Sequence, residues 1–261
     1  MNLKTNWKSY IENLRKREIE IILPYLKSRN ISNGLEMGAG SGYQSRLLTN
    51  YIKNLYCTEL NDERLNMERA NGIKYIIADA EIIDKYFKHE YFDFIFSSNL
   101  FEHLPFPQKA IKGMQKVLKT DGIAIHIIPS PFNAIVRLLL WYPNLAISIL
   151  TYIFSSPKKS SIKVKKIGNN SKLNRKTSKL ARFIIPQPHG VSSNIIKEIG
   201  YWRKKNWMRL FNKNGLKVNK VLKGPVSSGY GFGFNYIRNI LENSGLTCEY
   251  IYIMGKEKNH V

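Results

Sequence analysis

Apolar and polar positions follow two rhythms along the first half of the chain. Trp7, Tyr10, Ile11, Leu14, Ile21, Ile22, Tyr25 and Leu26 recur at helical spacing and predict an amphipathic helix over residues 6–28. Short, nearly continuous apolar runs then appear at Gly34–Met37, Leu55–Thr58, Ile73–Ala78, Phe92–Ser97 and Ile123–Ile128. Helical segments separate them, over Leu47, Leu48 and Tyr51, over Glu63–Ala70, and over residues 108–119. In the last, Ala110, Ile111, Met114, Val117 and Leu118 share one face, and Asp121-Gly122 reads as the turn that follows. Strands that are apolar on both faces and alternate with helices predict a parallel sheet covered on both sides. After Pro129 the rhythm stops. It resumes with a helix over 194–214, with Ile195, Ile199, Leu210 and Phe211 inward and Gly215 as its stop. Strands over Leu216–Leu222 and Cys248–Met254 close the chain, with a helix over 236–243 between them.

The first strand runs into Glu36-Met37-Gly38-Ala39-Gly40-Ser41-Gly42, and a helix begins near Tyr43. A strand that breaks into a glycine turn and then a helix is a nucleotide-binding corner, because glycine lets backbone approach a ligand and the helix start offers free N–H groups. The spacing narrows the ligand. A dinucleotide fingerprint needs its last glycine where Tyr43 stands, and no Gly-Lys-Ser/Thr follows, so neither that motif nor a phosphate loop is present. Glu-x-Gly-x-Gly-x-Gly resembles the first motif of class I S-adenosylmethionine-dependent methyltransferases. An acid suits a cofactor that carries an amino group and a sulfonium cation. Acids also close the next two strands, at Glu59 and Asp79, and ligands of such sheets bind at strand carboxyl ends where strand order reverses.

A second resemblance covers Phe92-Asp93-Phe94-Ile95-Phe96-Ser97-Ser98-Asn99-Leu100-Phe101-Glu102-His103-Leu104 and Val117-Leu118-Lys119-Thr120-Asp121-Gly122. It is similar to the fourth motif of the broad branch containing the ubiquinone and menaquinone biosynthesis methyltransferases. The match spans about residues 33–130. It implies S-adenosyl-L-methionine as cofactor and one Rossmann-like α/β domain over 1–261, with a seven-stranded, mostly parallel sheet, helices on both faces and the last strand antiparallel. It also implies that Glu36 with Gly38, Gly40 and Gly42 supports the methionine end, that Glu59 takes the ribose hydroxyls, and that Asp79 and the Ala80 N–H read the adenine, with Ser97 in the same cofactor set. Some ubiquinone O-methyltransferases hold a divalent metal with Glu-x-x-Glu-His. Here the first acid is replaced by Asn99 or Leu100, and no metal is expected.

Methyl transfer to a hydroxyl needs a base, and histidine is the usual one. His103 follows the fourth strand and His189 stands in the stiff loop Pro186-Gln187-Pro188-His189-Gly190, so these two are the catalytic candidates. His126, inside a strand, reads as a core residue. Ser227–Phe234, a second glycine-rich stretch, reads as an aromatic packing loop near the acceptor mouth.

Charge changes the picture most. The 261 residues carry 41 Lys and Arg against 19 Asp and Glu, a net charge of +22. From Gly122 to Lys197 there is no acid, and twelve of the excess charges lie there. A field of that sign implies an anionic partner. Residues 130–192 form the insert that breaks the sheet pattern, beginning with an apolar stretch from Pro131 to Phe154 interrupted by Pro143-Asn144. Two short apolar helices over 131–154, followed by a Lys-rich run, predict a hairpin in the interface of an anionic membrane, with membrane contact through residues 131–182, or a helical lid on the acceptor pocket. Two cysteines in apolar runs, Cys57 and Cys248, and an N-terminus without a signal-peptide pattern fit a cytoplasmic protein, peripheral at the inner membrane face. The reading is methyl transfer to a small-molecule or lipid-linked acceptor at oxygen, with a loose resemblance to methyltransferases of bacterial cell-surface glycan pathways. The rival readings are an RNA methyltransferase, without the amino-directed fourth-motif run, and a non-catalytic binding module that keeps the fold.

Overall fold

The computed structural model describes residues 6–65, 70–154, 186 and 188–257. The basic run over 158–182 and the end of the short helix expected over 63–70 lie outside the described residues. Seven strands form one sheet: β1 (Ile31–Met37), β2 (Ile52–Glu59), β3 (Ile73–Ile77), β4 (Phe92–Ser98), β5 (Leu118–Pro129), β6 (Leu216–Lys223) and β7 (Glu249–Lys256). Their order is β3-β2-β1-β4-β5-β7-β6. The first five pair in parallel, and β7 runs antiparallel between β5 and β6. The expected architecture is therefore present. Strand order reverses between β1 and β4, which opens a crevice at their carboxyl ends.

The helices are α1 (Trp7–Lys27), α2 (Tyr43–Leu48), α3 (Asp62–Leu65), α4 (Pro107–Val117), α5 (Pro131–Phe154), α6 (Ile195–Tyr201), α7 (Lys204–Lys213) and α8 (Asn235–Asn243). Asn6 caps α1 by accepting from the Lys8 and Ser9 N–H groups. The sheet divides the core in two. Phe94, Phe96, Ile125 and Ile127 pack with Ile22 and Leu26 of α1 and Leu48 of α2. Ile95, Ala124 and Ile128 face the other way, with Met114 of α4 and Trp207 and Phe211 of α7. Strand alternation puts Phe94 and Ile95 on opposite faces. Phe92 departs from that alternation because of the bulge between it and Phe94.

That bulge corrects one expectation. Asp121-Gly122 is not a turn before the strand but lies within β5. Phe92 pairs with Leu118 and Phe94 with Ile123, so the extra β5 residues are taken up as an irregularity in the ladder. A second correction concerns the helix expected over 194–214. It is two helices, α6 and α7, separated at Trp202 and Arg203. Asn206 donates to the Gly200 carbonyl, which ends the first helix, and Trp202 is fully buried at the corner.

The third correction is the largest. Pro131–Phe154 is one continuous helix of 24 residues, with Pro143 inside it. The expected hairpin is absent. A proline removes one backbone donor and bends a helix, but Leu138–Leu140 before it and Leu145-Ala146 after it are strong helix formers that carry the helix across. Among the described residues of the insert, none of α5 lines the cleft described below, whereas His189 does; residues 155–185 lie outside the described residues.

Phe211 joins the α7 face to the sheet through ring contacts with Phe101, His126, Trp207 and Tyr252. Phe211→Ala is expected to cost roughly 3–5 kcal/mol in a urea-denaturation measurement. Phe234→Ala, at an exposed ring, is expected to stay within about 1 kcal/mol. Equal losses for the two would contradict this account of the core.

Candidate active site

A cleft of about 990 Å³ opens at the carboxyl ends of β1, β2, β3 and β4. Its floor is the glycine turn after β1. Gly38, Gly40 and Gly42 all have φ in the left-handed region, at +70°, +56° and +76°. A side chain at Gly38 would strike Leu100 at 2.8 Å, whereas one at Gly40 would meet nothing within 4 Å. Backbone at Gly40 therefore faces open space, as a ligand cradle requires. The Gly38 and Ala39 N–H groups both donate to the Thr58 carbonyl, which pins the turn to the end of β2.

Glu59 serves this turn directly. Its Oε2 accepts from the Gly40 N–H at 3.0 Å and its Oε1 from the Leu60 N–H. A carboxylate has about four acceptor sites, so capacity for a vicinal diol is left. Asp79 accepts from the Glu81 N–H at 2.9 Å and caps the 3-10 turn that begins at Ala80. Ala78, Asp79 and Ala80 line the cleft together with Glu59.

Not every expected residue reaches the cleft. Glu36 is buried beneath the turn, where its carboxylate accepts from the Ser45 hydroxyl of α2. It props the turn from below rather than lining the cleft. Burial pushes its carboxyl up to about 7, against the pull of the Ser45 bond and Arg15. Gly42 begins α2 and is likewise outside the lining. Ser97 corrects the expected cofactor set. It is buried and bonds His126 Nδ1 at 2.8 Å on the opposite face, and strand alternation presents Ser98 to the cleft in its place. His126 is a core residue, kept neutral by burial, which lowers its pKa to about 3. Cys57 and Cys248 are separate, buried free thiols.

The fourth-motif segment and the Pro-His-Gly loop meet across the cleft. The His103 and His189 rings stand 4.7 Å apart, edge to face. They are 86 positions apart in sequence. Three backbone bonds fix the loop: His189 and Gly190 N–H groups donate to Glu198 Oε1, and the Val191 N–H donates to the Glu102 carbonyl. Gly190 has to be glycine, because a Cβ there would lie 2.4 Å from that same carbonyl oxygen. The His189 ring stays accessible from the cleft. Desolvation lowers its pKa to about 3, and the charges of His103, Arg137 and Arg15 add to the effect, so the ring is neutral near pH 7.

Glu102 lies behind the pair, fully buried, with Oε1 3.7 Å from His103 Nε2 and Oε2 without a hydrogen-bond partner among the described residues. Ligand atoms of Glu102, His103 and His189 fall within 4.8 Å of one another. Such a set can shuttle a proton or hold a cation, although no metal was expected from the sequence.

Sequence reasoning missed Arg15, whose guanidinium lines the cleft. It donates to both Glu18 oxygens, at 2.7 and 2.9 Å, and to the Ser98 hydroxyl at 2.6 Å. The signal was there: Arg15 and Glu18 are charged residues three apart on a stripe otherwise buried by Leu14, Ile19 and Ile22. Trp7, Ile11, Glu12, Asn99 and Leu100 complete the walls. Ser227–Phe234 does not line the cleft. It packs instead, with Ser228 donating to Tyr10 and Tyr230 to the Arg137 carbonyl.

Comparison with known proteins agrees with this geometry. Residues 35–126 match a family model described as a methyltransferase domain. The 2-methyl-6-phytyl-1,4-hydroquinone methyltransferase 1 of rice chloroplasts (Oryza sativa subsp. japonica) is 30% identical over 101 residues, covering 36% of this chain and 30% of the rice protein. The match thus spans under a third of that curated relative. A Listeria monocytogenes structure assigned to the S-adenosylmethionine-dependent methyltransferases superposes with a TM-score of 0.57, at 13% identity, covering 96% of this chain and all of the other. One from Archaeoglobus fulgidus, also such a methyltransferase, gives 0.54 at 14% identity, covering 94% of each. At these identities the likeness is one of fold.

Burial pushes the Glu102 carboxyl up to about 8. An unfolded glutamate ionises near pH ~4.3. The stability tied to the protonated form is therefore fully present below about pH 4, and it is lost as pH rises toward about 8. Unfolding free energy from urea titrations is expected to fall between about pH 5 and 8, and Glu102→Gln to flatten the upper part of that slope. An unchanged slope in the variant would remove Glu102 as its source.

Proposed function

We propose that the chain, whose residues 35–126 match a methyltransferase domain, is a class I S-adenosylmethionine-dependent methyltransferase that methylates a hydroxyl of a small-molecule or lipid-linked acceptor. The observation that supports this most is the meeting of His103 and His189 over the same cleft as the glycine turn.

The residues present fit the cofactor. The Gly40 backbone faces open space that the methionine end would take, Glu59 retains acceptor capacity for a ribose diol, and Asp79 and Ala80 line the cleft where adenine would bind. When bound, S-adenosyl-L-methionine supplies an electrophilic methyl group on a sulfonium. The chain's own work is to hold the acceptor oxygen in line and to take its proton. The imidazole of His189 or His103 accepts that proton, with Glu102 Oε1 3.7 Å from His103 Nε2. Nothing in this arrangement needs an amino acceptor. The rice relative is named for a phytylated hydroquinone, a ring that carries hydroxyls and a long apolar chain. That supports an amphiphilic acceptor of comparable polarity, and a glycan-linked lipid fits the same description.

His103→Ala and His189→Ala are the direct test, with radiolabelled methyl transfer to a panel of hydroquinone and lipid-linked sugar acceptors. At least one is expected to lower kcat about 10²–10⁴-fold while cofactor affinity by calorimetry stays within about twofold. Full rates in both variants would reject the base role. Chelator treatment is expected to leave the rate unchanged. Loss in chelator, with rescue by a divalent cation, would reassign the histidines as ligands.

A further inference from the structure

The helix α5 has no place in the cleft and little in the core. Its window of apolar residues, within Pro131–Thr151, is long enough to cross a membrane by length and composition, yet only 11% of it is buried. Leu139 is 66% exposed, and Tyr142, Ile149 and Leu150 are exposed as well. Single exposed apolar residues are ordinary, but an uncovered row of them along a long helix marks an interaction surface.

The two ends of α5 differ. The first three turns are keyed to the body: Ala134 is buried, Arg137 pairs with the buried Glu198 at 3.2 Å, and Trp141 meets Tyr230. Beyond Arg137 the helix runs from Leu138 to Phe154 without a charged residue. At 1.5 Å per residue the described free part, past Trp141, is about 20 Å long, short of a bilayer core of about 30 Å. It is long enough to lie within one leaflet, with its start held to the body. Charge indicates which surface it meets. Past Phe154 the sequence holds ten Lys and Arg residues and no acid between residues 155 and 185. Polybasic sequence beside an apolar helix is attracted to anionic headgroups at about 1 kcal/mol per basic residue.

We propose that α5 is a monotopic anchor that embeds its free part in an anionic lipid leaflet. Glu198 ties this anchor to the active site, since the same carboxylate that pairs with Arg137 holds the His189 and Gly190 backbone. Membrane seating and the acceptor wall of the cleft are therefore one mechanical unit. This extension to the acceptor rests on the hydroxyl-methylating function proposed above, and it makes the acceptor a molecule dissolved in or tethered to the leaflet.

The test uses the full chain and flotation with vesicles of phosphatidylcholine alone or mixed with phosphatidylglycerol. The wild type is expected to float with the mixed vesicles at low salt and markedly less with phosphatidylcholine. Leu139→Asp combined with Leu150→Asp changes two exposed positions, so the fold and cofactor affinity are expected to be unchanged. Partitioning is expected to drop about tenfold or more. The proposal is overturned if the wild type does not float with anionic vesicles, if the double variant floats equally well, or if the double variant merely splits a dimer that never bound lipid. Bound RNA released by salt, with no flotation, would overturn it in favour of a nucleic-acid partner. Methyl transfer to a water-soluble acceptor is expected to survive in the double variant, while transfer to a vesicle-embedded acceptor falls. Flotation without any methyl transfer by the wild type would leave the anchor standing and reject the catalytic reading.

Discussion

A guanidinium lodged among carboxylates holds the cleft together. Arg15 extends from α1 with 22% of its side chain exposed and reaches both oxygens of the buried Glu18. Gln44 from α2 and Ser98 from the end of β4 donate to the same carboxylate, at 2.9 and 2.8 Å. Burial disfavours the Arg15 charge, but Glu18, Glu249 and Glu102 attract it, and the net effect raises its pKa. Three elements that would otherwise pack only through apolar contacts thus meet at one ion pair. Removing one partner of a buried pair leaves the other charged and unpaired, a loss of about 3–5 kcal/mol. The position of α1 over the glycine turn depends on this pair as much as on its apolar stripe.

A second carboxylate organises the histidine side of the cleft in the same manner. Glu198 is fully buried and collects Arg137 from α5 and two backbone N–H groups from the histidine loop. Each of those donors would carry a desolvation cost if left alone. Together with the Val191 bond to Glu102 and the His189 ring contacts they fix the loop. The cofactor side is built from strand ends, where parallel pairing sets every position in register. The histidine side is built from long-range charge pairing between a helix, a loop and a short helix. The two halves use different physics, and they meet at His103.

Much of this was readable in the order of residues. Apolar runs gave the seven strands to within a few positions, because strands covered on both faces have to be apolar throughout. The cleft-lining positions Gly38, Gly40, Glu59, Asp79 and Ala80 were legible because left-handed backbone and a strand-end acid leave local marks at fixed offsets. What failed had non-local causes. Ser97 and Ser98 are chemically alike, and only the register of β4 against β1 and β5 says which one faces the cleft. The Asp121-Gly122 turn signal was real, but pairing with β4 absorbed it as a bulge. Pro143 suggested a break, and helix formers on either side carried the helix through it.

The sequence by itself determined the fold class, the cofactor corner and the concentration of positive charge, since each follows from local periodicity, backbone freedom or composition. Only the tertiary structure decided that Glu36 props the turn from below, that Arg15 belongs to the cleft, and that His103 and His189 share one wall. It also decided that α5 is one uncovered helix tied to the histidine loop. Those facts depend on contacts between residues tens of positions apart, as between Arg15 and Ser98 or Arg137 and Glu198. Closing such loops has an entropic cost that leaves no periodic trace in the chain, and so the histidine side came into view only once the sheet had placed its ends.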